Sequence, residues 1–291
     1  MLKPWHSLAA LVLALASSTA MAEDGPTVLP LEPFRKSVAV RAEVAGKERL
    51  FMFDTGGAVS FISPELASAL ACEKGARVVG YRMTGDKLEA PRCDDVALSI
   101  AGHQFPIPVA GVYQTGEFAA AGVTVDGLLA LDVFAGRTVT LDFAGGRLIV
   151  ETPASAAARV AGATELPARL ARELGGRGIA AYIDVPSSQG TLEFELDSGN
   201  GGTLLIARPY AAGFGFDPDE GPRMGSLPIG AGIVAEGLVI PADIILDGNL
   251  GMPFLKDYIV TLDLARGRVW LQRNPVAPPP GMGAAPTVPK D

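Results

Sequence analysis

The sequence has 291 residues and a net charge of −8, and only 19% of its residues are charged. This length is enough for one large domain or for two lobes. The low charge argues against a coiled coil or a disordered chain, and the 35 glycines and 23 prolines indicate many turns between short strands. Because no basic cluster could neutralise several phosphates, we do not expect nucleic-acid binding.

The N-terminal stretch MLKPWHSLAALVLALASSTAMA has the features of a secretory signal peptide: a basic start, an apolar core and small residues at its end. We predict cleavage after Ala22. The alternative is an N-terminal membrane anchor, but the apolar core over residues 8–16 is short for a bilayer-spanning helix. We therefore expect a periplasmic or secreted protein that is free of the membrane once residues 1–22 are removed.

Export makes the cysteine pair informative, because an oxidising compartment allows disulfide formation. Cys72 and Cys93 are the two cysteines of the chain, and a bond between them would contribute about 3 kcal/mol in the chain-entropy model. The alternative is two separate buried thiols. We predict the disulfide.

The predicted elements of the first half, residues 23–151, are mostly strands. SVAVRAEVAG alternates apolar and polar residues, turns at GKE and continues into a second strand that ends at Asp54. AVSFIS follows as a third strand. The next segment predicts a short helix, with Ser63 as its N-cap and Pro64 at its first position. Strands resume from RVVGYRM onward and end with TVTLDFAGGRLIV.

The second half repeats this order after a different connecting segment. Residues 152–177 are rich in Ala, Pro and Gly and predict an interlobe linker with one or two helical turns. Residues 178–273 begin with the alternating strand GIAAYIDVPS, which turns at SQG into a strand that ends at Asp197. GTLLIA predicts the next strand. The proline-rich end, residues 274–291, predicts a disordered tail.

Three blocks of sequence occur in the same order in both halves, which indicates an internal duplication. TVTLDFAGGRLIV matches IVTLDLARGRVWL, and VDGLLALDVF matches LDGNLGMPFL at the same spacing. FMFDTGG matches FELDSGN, with a longer separation from the other blocks in the first half. Chance explains one such match but not three in order. We therefore expect two similar lobes.

The duplication gives meaning to the two aspartates, Asp54 and Asp197. A single Asp-Thr-Gly or Asp-Ser-Gly after an apolar strand is ordinary turn chemistry. Two copies in a duplicated chain would face each other across a two-fold axis, and two carboxylates in contact share one proton. The unprotonated group can then take a proton from water while the protonated group polarises a carbonyl. This pair predicts amide hydrolysis without a metal or a covalent nucleophile.

The motifs FDTGG and LDSGN, each followed by an apolar-apolar-small element and a TLD…GR strand, resemble the pepsin-like and retropepsin-like aspartic proteases. The resemblance covers nearly all of residues 34–273. It implies a mainly β, bilobal acid-protease fold with two similar β-barrel-like lobes and an active-site cleft between them. It also implies that Asp54 and Asp197 are the catalytic aspartates. The residues expected to support this pair are Thr55, Gly56, Ser198 and Gly199.

The resemblance also implies a flap, a hairpin that closes over the substrate. The best match is VVGYRMTGDKLEAPR, with its turn near TGDK and a bond between the two cysteines at its base. Only the longer first half has room for a developed hairpin. We expect flap contacts with substrate from Tyr81, Thr84 and Gly85, and the alternative for Tyr81 is an ordinary strand residue.

Three positions depart from the family pattern. Gly57 and Asn200 follow the two catalytic glycines, where a small residue is usual. Ala130 stands where the apolar-apolar-Gly element of the second half has glycine. Because a dyad needs accurate placement, these departures affect the expectation of activity more than that of fold.

Other chemistries have less support in the sequence. His103 is the one histidine beyond the predicted signal peptide, and no second histidine or cysteine set accompanies it as a zinc site. No G-x-S-x-G elbow occurs, and FDPDEG lacks the spacing of an EF-hand loop. We predict no cofactor and no metal.

We expect an exported aspartic endopeptidase that works as a monomer and holds an extended peptide by strand-like pairing. The alternative is a non-catalytic peptide-binding or inhibitory protein that retains the fold. A third possibility is an unrelated all-β exported protein in which both motifs are only turns. The distance between Asp54 and Asp197 separates these cases, because the first two require the carboxylates to face each other.

Overall fold

A computed structural model describes residues 25–73, 75–120 and 122–287. The predicted signal peptide lies outside the described residues. Within them, no helix is both long enough and apolar enough to cross a bilayer.

The described chain is built mainly from short strands. The first half contains β1 (Thr27–Pro30), β2 (Glu32–Phe34), β3 (Ser37–Val44), β4 (Lys47–Phe53), β5 (Phe61–Ile62), α1 (Pro64–Ala69), β6 (Arg77–Tyr81), β7 (Lys87–Val96), β8 (Ser99–Ile100), β9 (His103–Gln104), β10 (Ile107–Val112), β11 (Gly127–Leu129), β12 (Thr138–Asp142) and β13 (Arg147–Glu151). The second half contains α2 (Pro153–Val160), β14 (Thr164–Leu166), β15 (Ala168–Glu173), β16 (Gly178–Ser187), β17 (Gly190–Leu196), β18 (Leu204–Ala207), β19 (Arg223–Gly230), β20 (Ile233–Ala242), β21 (Gly248–Leu250), α3 (Met252–Leu255), β22 (Tyr258–Asp263) and β23 (Arg268–Arg273). Short 3-10 helices lie at Gly116–Phe118, Leu131–Phe134, Leu174–Gly176 and Arg208–Phe214.

The helix α1 forms where the sequence predicts it, because both start signals act locally. Ser63 accepts a hydrogen bond from the Leu66 N–H at 3.1 Å, and proline occupies the first turn. The helix ends at Ala69, three residues before Cys72. Leu66 anchors it to the core of the first lobe, because its side chain is fully buried.

Both lobes contain the same arrangement of four neighbouring strands. In the first lobe β11 runs parallel to β4 and antiparallel to β5. In the second lobe β21 runs parallel to β17 and antiparallel to β18. A further parallel strand, β10 or β20, follows in each lobe. Each aspartate motif therefore lies at the end of a central strand that has neighbouring strands on both sides.

A six-stranded sheet joins the lobes, in the order β1-β13-β12-β22-β23-β14. Its centre is the antiparallel pair β12 and β22, in which Thr140 lies opposite Thr261. Their hydroxyl groups are 3.0 Å apart, and the two residues are separated by 121 positions, the spacing of the repeat. The duplicated blocks therefore meet at a local two-fold axis.

The lobes are open sheets. The prediction of a mainly β, bilobal fold is confirmed, and the described strands form no closed barrel. The ten strands of the first-lobe sheet run from β6 to β9, with β2 beside β3, and the seven strands of the second run from β15 to β19. The first and last strands of each sheet do not pair with each other. Buried aromatic side chains such as Phe51, Phe53 and Phe194 fill the interior of the lobes.

Two segments are more ordered than the sequence predicts. Residues 152–177 contain helix α2, and they also supply β14 to the six-stranded sheet and β15 to the second lobe. In place of a disordered tail, residues 274–287 pack against the body of the protein. Met282 is only 5% exposed, and the Gly283 N–H donates to the Lys36 carbonyl at 2.9 Å. The proline-rich composition of this segment predicts disorder, although Met282 is buried in the structure.

Candidate active site

The two aspartates leave their strands in the same way. The Asp54 N–H donates to the Leu129 carbonyl at 2.9 Å, and the Asp197 N–H donates to the Leu250 carbonyl at 3.1 Å. Each bond continues the parallel pairing of the preceding strand by one residue. The carboxyl groups are therefore carried by rigid strand ends rather than by mobile loops.

The hydroxyl residues after the aspartates connect the lobes. The Thr55 Oγ1 donates to the Leu196 carbonyl at 2.6 Å and accepts from the Ser198 N–H at 2.9 Å. Reciprocally, the Ser198 Oγ donates to the Phe53 carbonyl at 3.1 Å and accepts from the Thr55 N–H at 3.0 Å. All four bonds cross between motifs 143 residues apart or nearly so. Because both hydroxyls are buried, this network fixes the position of one motif relative to the other.

Gly56 and Gly199 bring the carboxyl groups close together. A Cβ on Gly56 would lie 2.6 Å from the Asp197 Cγ, and a Cβ on Gly199 would lie 2.4 Å from the Asp54 Oδ2. Neither glycine has a positive φ. Each glycine is needed for space, since the carboxyl group of the opposite lobe occupies the volume that a side chain would fill.

The carboxyl groups of Asp54 and Asp197 share an environment in which both cannot ionise. Withdrawal from water raises the pKa of Asp54 well above its usual range, and the charge of Asp197 and a hydrogen bond to its carboxyl raise it further. Asp54 accepts two N–H bonds, both at Oδ1, from Gly56 and Gly199. Asp197 accepts three, from Gly199 and Asn200 at Oδ1 and from the Asn249 amide at Oδ2. The Gly199 N–H is shared by the two carboxyl groups, and the raised pKa of Asp54 favours its protonated form.

The departures Gly57 and Ala130 lie close to each other, behind the first motif. A Cβ on Gly57 would lie 2.9 Å from the Leu128 side chain and 3.4 Å from the Ala130 methyl. In the second lobe the pair is reversed: Asn200 has a side chain, and a Cβ on Gly251 would lie 2.4 Å from the Asn200 carbonyl. In the first lobe the side chain belongs to Ala130, after β11, and the loop residue is Gly57. In the second lobe the side chain belongs to the loop residue Asn200, and the residue after β21 is Gly251.

The hydrogen bonds of Asn200 and Gly57 go mainly to groups other than the two carboxyl groups. The side-chain amide of Asn200 donates to the Thr203 carbonyl and to the Asn249 side chain, at 3.0 and 2.8 Å. Only its backbone N–H reaches Asp197. The Gly57 N–H donates to the Asp54 backbone carbonyl at 3.4 Å rather than to a carboxylate.

A third carboxyl group, on Glu195, lies beside the pair and was not predicted from the sequence. It is 5% exposed and accepts from the Asn249 amide at 3.1 Å and from the Tyr182 hydroxyl at 3.3 Å. In the sequence, Glu195 is an acidic residue within the apolar segment FEL, two positions before Asp197. The matching position of the first half holds the apolar Met52, so an alignment of the two repeats would have identified Glu195 as unusual.

A fourth buried carboxyl group lies behind the first motif. Asp132 accepts from the Ser60 hydroxyl at 2.6 Å and from the Ser60 N–H at 3.0 Å. The Ser60 Oγ in turn accepts from the Ala130 N–H at 3.0 Å. Burial raises the pKa of Asp132 to about 6 despite these hydrogen bonds. This network ties the strand β11 to the segment that follows Asp54.

The predicted flap is a hairpin of β6 and β7. Its turn is closed by the Gly85 N–H donating to the Arg82 carbonyl at 2.8 Å, and Gly85 has φ +85°. The tip reaches the second lobe, where the Ile245 N–H donates to the Met83 carbonyl at 2.8 Å. The hairpin therefore bridges the two lobes.

The predicted flap residues differ in their placement. Tyr81 is 66% exposed at the end of β6, and Thr84 donates to the Asp86 carboxylate at 2.8 Å, within the turn. The predicted disulfide between Cys72 and Cys93 is present, with the Cα atoms 5.2 Å apart. It joins the segment after α1 to β7 and so braces the base of the hairpin.

Aromatic residues beside the flap were also missed by the sequence analysis. The ring of Tyr113 lies edge-on to Phe61, with centroids 5.9 Å apart, and 6.5 Å from Phe118. Arg82, at the flap turn, donates to the Tyr113 hydroxyl and lies over its ring. These contacts form an apolar wall between the flap and the segment after Asp54. In the part of the chain that the structure describes, no group of three or more His, Cys, Asp or Glu side chains is arranged to hold a metal.

No family model and no curated protein matches this sequence. Solved structures do match. A basic 7S globulin from soybean has a TM-score of 0.55 at 12% identity, over 84% of this chain and 94% of that chain. Conglutin gamma, a basic 7S globulin from lupine seeds, has a TM-score of 0.56 at 10% identity, over 86% and 95%. A protein named edgp has a TM-score of 0.54 at 11% identity, over 84% and 94%.

The fold is bilobal and pepsin-like. At these identities the likeness establishes the fold alone. Two of these neighbours are named as basic 7S globulins. The unrelated all-β alternative is inconsistent with this fold.

Proposed function

We propose that this protein is an aspartic endopeptidase that hydrolyses peptide bonds with Asp54 and Asp197. One observation supports the proposal above the others: the two carboxyl groups lie side by side at the lobe junction, where the single N–H of Gly199 donates to Oδ1 of Asp54 at 3.2 Å and to Oδ1 of Asp197 at 2.8 Å. Four buried cross-lobe hydrogen bonds hold their loops. A protein without catalysis has no evident need for two such carboxyl groups, because burying them costs free energy.

The chemistry follows from the protonation state of the pair. The carboxylate of Asp197 takes a proton from water as the water oxygen attacks the peptide carbonyl, and Asp54 gives its proton to the carbonyl oxygen. In the second step Asp197 passes its proton to the departing nitrogen. The C–N bond breaks, and a hydroxyl proton of the tetrahedral intermediate returns to Asp54. The dyad ends with the one proton with which it began.

We further propose an extended peptide as substrate, with apolar side chains near the cleaved bond. The residues around the first motif, Phe61, Leu128 and Phe118, belong to one apolar cluster beside the flap. The flap adds exposed backbone for strand-like pairing. Because its tip is bonded to Ile245, binding requires this contact to open. We propose an exported monomer, periplasmic or secreted.

The second candidate is a non-catalytic peptide-binding or inhibitory protein. Its support is the nature of the neighbours, which are named as globulins. The hydrogen bond between the Ile245 N–H and the Met83 carbonyl at the flap tip is also compatible with a non-catalytic protein. The two intact aspartates oppose it.

The deciding experiment measures cleavage of a complex peptide library by residues 23–291, from acidic to neutral pH. Wild type is compared with Asp54→Asn, Asp197→Asn and the control Asp219→Asn, whose carboxylate is 90% exposed. We expect cleavage by wild type and the control, and none by either dyad variant. Inhibition by a statine-type transition-state mimic would add support.

If the folded wild type cuts nothing across this range, the peptidase proposal is wrong. Retention of peptides from the same library, measured after filtration, would then identify the binding protein.

A further inference from the structure

The two halves of the active site differ at one pair of positions. In the first lobe, Met52 of β4 lies beside Leu128 of β11, and both are apolar. In the second lobe the corresponding neighbours are Glu195 of β17 and Asn249 of β21. The fold therefore requires no polar residue at this place, and the polar pair is a property of the second lobe alone.

The orientation of the Asn249 amide is set by its neighbours. Its Oδ1 accepts from the Asn200 side chain at 2.8 Å, so its amino group is directed to the other side. There the Nδ2 donates to the Asp197 Oδ2 at 2.8 Å and to the Glu195 Oε2 at 3.1 Å. The two hydrogens of one amide thus join the catalytic carboxylate to the third carboxyl group.

The surroundings of Glu195 provide no compensating positive charge. The titratable groups that act on it are Asp197 on its own strand, Asp54 from the other lobe and Tyr182 on β16. Beyond Tyr182 lie Arg169, 5.0 Å from its ring, and Glu173. Among the described residues, no lysine or arginine forms an ion pair with Glu195. Burial, then the charges of Asp197 and Asp54, raise the pKa of Glu195 well above its usual range.

We propose that Glu195 is the third ionisable group of the catalytic centre, a positioning residue that acts through Asn249 on Asp197. The inference rests on the proposed peptidase function and deepens it. Like charges in a buried site repel each other. Glu195 and the dyad therefore titrate as one coupled group, in which a negative charge on any of the three carboxyl groups makes loss of the next proton harder. This coupling keeps the dyad in its active, singly protonated form to higher pH than an uncharged residue at this position would.

The test removes the charge and follows titration of the dyad. Glu195→Gln keeps the shape of the side chain, and Glu195→Met copies the residue at the matching position of the first lobe. The control is Glu165→Gln, which removes an exposed carboxylate paired with Arg268. One readout is the pH profile of kcat/KM. The other needs no activity: carbon-13 NMR of labelled aspartate carboxyl groups, with the dyad signals assigned by their loss in Asp54→Asn and Asp197→Asn.

We expect both Glu195 variants to shift the dyad titration, and the alkaline limb of activity, to lower pH by about one unit. The control should leave both unchanged. Unshifted titration in a folded Glu195 variant would overturn the proposal, and so would loss of folding in both variants, which would make Glu195 structural. If the wild type cleaves nothing but the NMR titration still shifts, the peptidase function fails while the role of Glu195 in dyad protonation stands.

Discussion

Gly199 illustrates how much of this site depends on single atoms. Its missing side chain leaves room for the carboxyl group of Asp54, which lies where a Cβ would be. The same holds for Gly56 and Asp197. The local turn alone would accept alanine at both positions, because neither residue has a positive φ. The requirement comes from the opposite lobe.

Gly199→Ala should therefore impair catalysis more than stability. The new methyl would push Asp54 out of position, and a displacement of about an ångström is expected to lower kcat/KM roughly a hundredfold. The control is Gly221→Ala, where a Cβ would meet no atom within 4 Å. Cleavage rates and thermal unfolding of both variants check this. Full activity of a folded Gly199→Ala protein would contradict the close contact.

The flap hairpin contacts the other lobe through its tip. Its strands β6 and β7 are explained by alternating buried and exposed residues, its turn by Gly85, and its fixed base by the disulfide. The bond from the Ile245 N–H to the Met83 carbonyl is different in kind, because it joins the tip to a segment of the other lobe. This bond sets how readily the hairpin opens.

Ile245→Pro removes that donor and should free the flap tip. We expect faster amide hydrogen exchange across β6 and the turn, since the hairpin would open with less cost. Ile245→Ala keeps the N–H and serves as the matched control for loss of the side chain. Exchange measured by mass spectrometry separates the two variants. Equal exchange in Ile245→Pro and wild type would mean that the bond does not hold the flap.

A second feature at the scale of the element is the reversed pairing of Gly57 with Ala130 and of Asn200 with Gly251. A Cβ on Gly57 would lie 2.9 Å from the Leu128 side chain, and a Cβ on Gly251 would lie 2.4 Å from the Asn200 carbonyl, so each contact excludes a side chain at its glycine. The sequence comparison noted the departures from the family pattern. It could not show what each glycine contacts.

For the whole molecule, stability depends on pH through the buried Asp132. Its pKa is raised to about 6 in the folded protein, against an ordinary value of 3.8. A raised carboxyl pKa favours the folded state most when the group is protonated, so this contribution is present at acidic pH. It is lost as the pH rises from about 4 to about 6, by about 3 kcal/mol in total.

Asp132→Asn should remove this dependence, because the amide does not ionise. We expect the melting temperature of wild type relative to the variant to fall as the pH rises through this window. Thermal unfolding at a series of pH values measures the difference. Parallel curves for the two proteins would show that Asp132 does not titrate in this range.

The sequence by itself determined much of this protein. The alternating strands, the N-cap at Ser63 and the cysteine pair follow from local chemistry or from composition. The duplication identified Asp54 and Asp197 as a pair, because repeated blocks are expected to meet around a two-fold axis, as Thr140 and Thr261 do.

Only the tertiary structure decided what surrounds that pair. Open sheets in place of barrels, the buried anchor Met282 in the tail, and the amide of Asn249 between Asp197 and Glu195 all depend on residues distant in sequence. Periodicity records which face of a strand is buried, but not which strand lies beside it. The identity of the neighbouring strand is what brings the Asn249 amide between Asp197 and Glu195.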